Sequence, residues 1–446
     1  MAESVSLDPG SAIEVQAERG SYANYKTFAV LTAGDGLHGV FSSVTTNFAF
    51  LDALPSYNED EVTLTLVRNG IAFWREAYTP NQISTANGTE SLGGGNAVYD
   101  AVASQLKSEA FAAFDALSGE IYASTASVIQ QQSVFTRDAV VSRMRQTVSD
   151  TGGAPLAYAA DGPPTASFGP DIAAVMWMQG FGGWGDFSSN GNAAAVSTSV
   201  AGVIGGFDAA FNENWHVGAY GGYSNSSLDV TDRASSGSMD NYDLGLYAAA
   251  QYGSLALRLG AGYAWHDVST SRTVAFPGYA GANGSDYMAG STQLFGELGY
   301  DLRFADVELE PFAGLAYLHV DGGLADETGS SSALVGDGGT MDTVYSTLGL
   351  RGGRAITVAD VPLNVSFTLG WQHAFGDTVS NALMTFATGS APFAIEGVPI
   401  AIDTLIVGGG LSYDLNANAR LSIRYDGQLA SGAQQNAVTG QLQVRF

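Results

Sequence analysis

From residue 172 to its end the chain alternates apolar and polar positions with a period of two, again and again. Across 361–375 the odd positions are Val361, Leu363, Val365, Phe367, Leu369, Trp371, His373 and Phe375, and the even ones include Asn364, Ser366, Thr368, Gly370 and Gln372. The same split sets Leu255, Leu257, Leu259, Ala261, Tyr263 and Trp265 against Arg258, Gly260, Gly262 and His266. It returns in Leu421, Ile423 and Tyr425 against Arg424, Asp426 and Gln428, and in Val438, Leu442, Val444 and Phe446 against Thr439, Gln441, Gln443 and Arg445. Successive side chains of a strand point to opposite faces, so each segment is a strand with one apolar face. Twelve strands are predicted: 172–186, 196–211, 215–228, 239–252, 254–266, 288–304, 307–320, 341–356, 361–375, 400–414, 420–430 and 436–446.

Alternation alone fits a water-soluble sandwich, whose apolar face turns inward, as well as a membrane barrel, whose apolar face turns out to lipid. Connection lengths separate the two. The links 212–214, 253, 305–306, 357–360 and 415–419 are short, and those between them, such as 267–287, 321–340 and 376–399, are mostly long. Short turns opposite long loops, with an even strand number, are the mark of an outer-membrane barrel with both ends in the periplasm. Trp215, Trp265, Tyr317 and Trp371 near strand ends read as aromatic girdles. About 9–11 residues suffice for a tilted span, so these longer strands are expected to protrude. A twelve-stranded lumen lies between the filled interior of eight strands and the open channel of sixteen, leaving room for one helix of about 10–12 Å diameter.

A helical stretch lies directly upstream. Residues 97–146 are mostly good helix formers interrupted at Leu117-Ser118-Gly119, which predicts helices over 97–116 and 119–146. In the second, Ile121, Val128, Phe135, Val140 and Val141 fall near one stripe, while Gln130, Gln131, Gln132, Arg137, Arg143 and Arg145 form polar faces. Residues 81–96 read as a polar, Gly-rich linker, and 147–170, with four Pro and four Gly, as an extended one. Residues 1–80 hold short strands (25–31, 39–44, 62–67) broken at 33–36 and at Leu54-Pro55-Ser56. They are too few for a core and read as the terminal rung of a solenoid. The expected division is therefore 1–80, 81–171 and 172–446.

Composition narrows the partners. A formal charge of −27 with only two lysines, Lys26 and Lys107, excludes nucleic acid. No run of 18 apolar residues is present, so a membrane helix is not indicated and a β-type span stays open. Without cysteine there is no disulfide and no thiolate metal site. Met1, Ala2 and Glu3 lead straight into polar residues, so an export signal is expected upstream of Met1.

The residues at this point resemble the autotransporters, the type V secreted proteins of Gram-negative bacteria. The resemblance rests on the helix end 137–145 (RDAVVSRMR), the opening strand 177–185 (WMQGFGGWG), the units 205–208 (GGFD) and 221–223 (GGY), and the ending 441–446 (QLQVRF). It implies an all-β membrane fold, a 12-stranded antiparallel outer-membrane β-barrel threaded by a pore helix. Residues 25–68 look like the last rungs of a passenger β-helix, a short autochaperone-like fragment preceding the barrel. It also implies export of an N-terminal passenger to the cell surface, outer-membrane lipids and lipopolysaccharide as surroundings, and help from the barrel assembly machinery, for which Phe446 is the signal. Some members cut the passenger free at an Asn in the linker helix; residues 97–146 contain none, so such autocleavage is not expected. The linker 147–170 is longer than the family's usual one, which leaves open whether helix or linker fills the pore.

Candidate chemistry is sparse. Gly180, Gly182 and Gly185 match a dinucleotide fingerprint in spacing, but a loop and a strand follow instead of a helix, so they are barrel glycines. Gly34-Asp35-Gly36-Leu37 resembles the lipase serine motif with Gly in the nucleophile's place, and a turn explains it. His38, His216, His266, His319 and His373 have no metal-ligand spacing. Neither His319-Val320-Asp321 nor His373-Ala374-Phe375 has the Ser that an outer-membrane phospholipase places two residues on. The acidic stretch 321–337 lacks the order of an EF-hand and reads as a solvated loop. No enzyme activity, metal or cofactor is expected.

Strand parity turns Arg258, Glu297, Asp301, Arg303, Glu308, Glu310, Arg351, Arg424, Asp426 and Arg445 toward the lumen. There they pair with one another, or they grip Arg137, Arg143 and Arg145 of the helix. The alternatives to a translocator are a free-standing plugged porin or adhesin-like barrel and, further off, an outer-membrane hydrolase.

Overall fold

The computed structural model describes residues 4–148, 166–167, 173–304, 307–359, 361–416 and 419–444. Twelve antiparallel strands form the wall: β1 (Ala173–Phe187), β2 (Val196–Ala210), β3 (Trp215–Val230), β4 (Ser235–Tyr252), β5 (Leu255–Phe276), β6 (Tyr279–Tyr300), β7 (Val307–Asp321), β8 (Thr340–Val358), β9 (Val361–Gly376), β10 (Asp403–Asn416), β11 (Ala419–Ala430) and β12 (Ala433–Val444). The wall closes where β12 pairs with β1, from Ala433 opposite Phe187 to Gly440 opposite Gly180. Closure removes the sheet edge, which is what lets strands stand in hydrocarbon. Side-chain direction follows the pattern of two: Leu369 and Ile423 stand outward, 54% and 56% exposed, whereas Thr368 and Arg258 face inward and are buried.

Residues 267–287 correct the expected loop. β5 and β6 run on as one hairpin to a turn at Pro277-Gly278, with Phe276 opposite Tyr279. The β3–β4 and β11–β12 connections are likewise short, so long external links are not the rule. The physical reason is an inversion of polarity. Up to Trp265 the apolar residues of β5 point out; above it Asp267, Ser269 and Ser271 point out and Val268 and Val274 point into a buried core. Outside the membrane the barrel needs a water-facing exterior and an apolar interior, and this weakens the signal by which strands are recognised.

That protruding interior is filled by the N-terminal part of the chain. Helix α1 (Pro80–Ser91) replaces the expected linker; it starts at a capping box between Thr79 and Gln82 with Pro80 behind it, and lacks an apolar stripe. The expected helix 97–116 is two, α2 (Ala97–Ala103), capped by Asn96, and α3 (Ala110–Leu117). Helix α4 (Ile121–Val148) follows and runs down the lumen. The β7–β8 and β9–β10 connections supply a further four-stranded sheet (Leu324–Asp326, Leu334–Asp337, Asn381–Phe386, Phe393–Glu396) at the external mouth. One hydrophobic core joins Phe50, Phe73, Phe114, Tyr122, Val268, Leu318, Phe386 and Phe393, and so spans N-terminal segment, helices, loops and wall.

The first strands pair in parallel across one coil, Val5 with Leu37 and Ala12 with Ser43, the pairing of stacked solenoid rungs. An antiparallel sheet of Thr27–Thr32, Glu61–Arg68 and Leu51–Tyr57 follows. Pro55, expected as a break, lies inside Leu51–Tyr57, an edge strand where its missing N–H need not interrupt the ladder.

Candidate functional site in the barrel lumen

The lumen is occupied by α4, and the contact is built from few residues. Near the external end Ser127 Oγ donates to the carbonyl of Val398 at 2.7 Å. Midway, Ser226 Oγ donates to Gln132 Oε1 at 2.7 Å and Thr136 Oγ1 donates to Asp243 Oδ1 at 3.1 Å. Phe135 stacks on Phe181 with centroids 5.6 Å apart. Gly183 makes room for it: an added Cβ would lie 2.5 Å from Phe135 Cζ.

Of the three helix arginines, Arg143 forms a two-pronged ion pair with Asp208 of β2, Nε to Oδ2 at 2.7 Å and Nη2 to Oδ1 at 2.9 Å. Tyr247 also donates to that carboxylate at 2.7 Å and accepts from Trp177 Nε1 at 2.8 Å. Arg137 lies over the ring of Tyr345, 5.8 Å from its centroid, and Arg145 is buried in the field of Glu310, Arg351 and Arg424. Asp208 was missed by sequence reasoning. It ends the 205–208 unit, and the parity that puts Val203 and Phe207 outside puts Asp208 inside.

On the wall, four successive strands contribute Arg258, Glu297, Glu310 and Arg351. Arg258 reaches Glu297 at 2.9 Å and Glu310 at 2.9 and 3.0 Å; Arg351 reaches Glu297 at 2.6 and 2.8 Å and Glu310 at 3.2 Å. Two cations and two anions, all buried, thus balance one another's charge. Gly299 is the floor of this network, since a Cβ there would meet Glu310 Oε1 at 2.8 Å and Arg258 Nη1 at 2.9 Å. Arg424 pairs with Asp426 along β11 at 2.6 Å and donates to Thr368 Oγ1 at 3.0 Å. Asp301 and Arg303 stand in the periplasmic β6–β7 hairpin and not in the lumen proper: Asp301 accepts from Gln251 at 2.9 Å, and Arg303 is exposed and 3.5 Å from Glu308. Arg445 and Phe446 lie outside the described residues.

The helix does not fill the bore evenly. It leaves a cavity of about 360 Å³ in the periplasmic half, lined by Arg137, Asp138 and Arg145 on the helix and Arg351, Arg424 and Asp426 on the wall.

At the external mouth Arg272 of β5 donates to Glu327 at 2.7 and 2.9 Å, and Tyr122 of α4 donates to the same carboxylate at 2.8 Å. Arg233, after β3, lies 3.2 Å from Glu120 and 3.3 Å from Asp115. Burial raises both of these carboxyls above their ordinary range, and the Arg233 charge opposes it. Among the described residues no group of His, Asp and Glu is arranged to hold a metal ion.

A closed twelve-stranded wall around an axial helix invites comparison with known proteins, and the autotransporter β-domain family model matches residues 176–426. The chain belongs to the autotransporter family. Two extracellular serine proteases of Serratia marcescens are 32% and 31% identical over 99% of this chain and 45% of their own length. The chain thus spans less than half of those relatives. The solved translocator domain of the autotransporter NalP from Neisseria meningitidis is 15% identical, covers 74% of this chain and 100% of its own, and superposes with a TM-score of 0.53, a likeness of fold.

This autotransporter barrel is an outer-membrane translocator. Among the described residues no helix is long and apolar enough to cross a membrane; its strands do so. The matched family is one of export barrels, and the name of protease comes from relatives more than twice as long.

Proposed function

We propose that this chain is the exit port and surface anchor of a secreted serine protease, closed in the form seen here. Residues 1–80 are the end of the passenger, 81–171 lead it into and through the pore, and 172–446 are the port. The protease activity belongs to the part of the relatives' length that this chain does not span. The observation that carries the reading is the continuity of α4 in the lumen with a folded segment on the external side. A chain so threaded has delivered its N-terminal part outward while its C-terminal part stayed in the wall. The proteases of Serratia marcescens support the passenger's class by name.

The lumenal arginines retain the helix, Arg143 through Asp208, Arg137 over the ring of Tyr345 and Arg145 among the charges of the wall. Lipopolysaccharide surrounds the external half of the wall, and the barrel assembly machinery reads the terminal Phe446. Hydrolysis of casein tests the division of labour. The complete gene product should hydrolyse it and the chain from residue 1 should not; turnover by the chain alone would overturn the reading. Deleting Phe446 should lower the amount of heat-modifiable barrel in the outer membrane, and an unchanged amount would remove its role as signal.

A further inference from the structure

The cavity beside α4 runs against the charge of the chain. In a sequence of net charge −27 it is lined by five arginines and by only four of the 44 acidic residues. Two of those arginines are matched within the wall, Arg351 by Glu297 and Glu310 and Arg424 by Asp426. Arg137 of the helix is not matched in this way. It is only 8% exposed, and among the described residues its Nη1 finds no protein acceptor. Its guanidinium lies over the ring of Tyr345. A ring face attracts the charge but leaves the in-plane N–H groups to other acceptors. A buried donor without an acceptor carries a desolvation cost that an anion in contact with it would offset.

The cavity has a way in and an inner end. Its lining reaches Asn364, Ser412 and Ser422, close to the periplasmic ends of β9, β10 and β11. Toward the outside, the space beyond Arg137 shrinks to about 20 Å³, room for about one water. At about 360 Å³ the cavity itself lies at the small end of ligand sites, which run from roughly 300 to 1,000 Å³. Two turns further along the same helix face, Arg145 is buried in the field of Arg351, Arg424 and Arg258 as well as that of Glu310. Like charges therefore crowd this space.

We propose that the cavity binds a small oxyanion of the phosphate type, admitted from the periplasm and held at the inner end by Arg137. The planar fork of a guanidinium matches the oxygens of such an anion. Helix and wall build the site together, Arg137 and Arg145 from α4 and Arg351 and Arg424 from β8 and β11. It exists only while the helix is seated, so an anion that binds this form alone stabilises it by mass action. Such a site goes beyond export and needs only the seated helix.

Calorimetric titration of the intact chain in detergent micelles with inorganic phosphate, against sodium chloride of equal ionic strength, tests this. One phosphate should bind per chain, and it should raise the midpoint temperature of heat-modifiable migration more than chloride does. Arg137→Gln should weaken binding by about tenfold or more, the size of a charge-assisted hydrogen bond lost. Asp138→Asn should tighten it several-fold, because Asp138 stands open to the cavity and repels an anion there. A variant that merely misfolded would not bind more tightly. Absence of saturable binding at millimolar phosphate, an equal effect of chloride, or equal affinity in wild type and Arg137→Gln would each overturn the proposal. Weaker binding in Asp138→Asn would do so too, since the acid and not the arginine would then be the anchor.

Discussion

Arg143 and Asp208 meet at the periplasmic end of the lumen through two parallel hydrogen bonds, both side chains almost wholly buried. Removing one partner of such a pair leaves an uncompensated charge and costs about 3–5 kcal/mol, whereas replacing both by apolar residues is often near neutral. Arg143→Ala and Asp208→Asn should each unseat α4, seen as open bursts in single-channel recordings on a baseline that is closed in the unaltered protein. A double Leu variant should return most of the way to the closed baseline. Closed records from both single variants would show that the pair does not hold the helix.

Phe135 and Gly183 offer a test by compensation. Gly183→Val forces a branched side chain onto a ring that already sits 2.5 Å from the Cβ position, an overpacking that costs roughly 1–3 kcal/mol. The variant should shift α4 and raise the open fraction; Phe135→Ala in the same chain should lower it again. Without that rescue, the fit between helix and wall is not what Gly183 serves.

Gly299→Ala should loosen the wall itself. Its methyl group would displace Glu310 from Arg258, so the temperature at which the barrel loses heat-modifiable migration should fall, with a cost of about 1–3 kcal/mol. Gly440→Ala, where an added Cβ meets nothing within 4 Å, is the matched control and should leave that temperature in place.

Glu120 and Asp115 make the external docking depend on pH. Their carboxyls are raised by burial, so the folded state holds its protons to higher pH than the unfolded chain does. Stability from this source is complete below the ordinary carboxyl range and is lost as pH rises through the raised values. Resistance of residues 1–120 to added proteinase should therefore be greater in mildly acidic buffer than at neutral pH. Glu120→Gln should flatten the profile; a steeper one would reverse the sign.

Strand parity determined the twelve strands and which side chains share a face, because side chains alternate strictly; that the apolar face meets lipid needed the short turns between strand pairs as well. It also turned Arg258, Glu297, Glu310 and Arg351 to one face. Their joining into one network was decided by register, Arg258 opposite Glu297 and Glu310 opposite Arg351, which no single strand encodes. The hairpin 267–287 was illegible because polarity inverts where the wall leaves the membrane. Helix α1 was illegible because it carries no apolar stripe and some of its buried polar residues find partners far away in sequence, such as Glu396 for Asn81 and Asp115 for Gln82. That α4 lies in the pore, and that Asp208 holds Arg143, only the closed wall decided. A lumen exists only once β12 has met β1, and what fills it is set by shape and charge summed over all twelve strands.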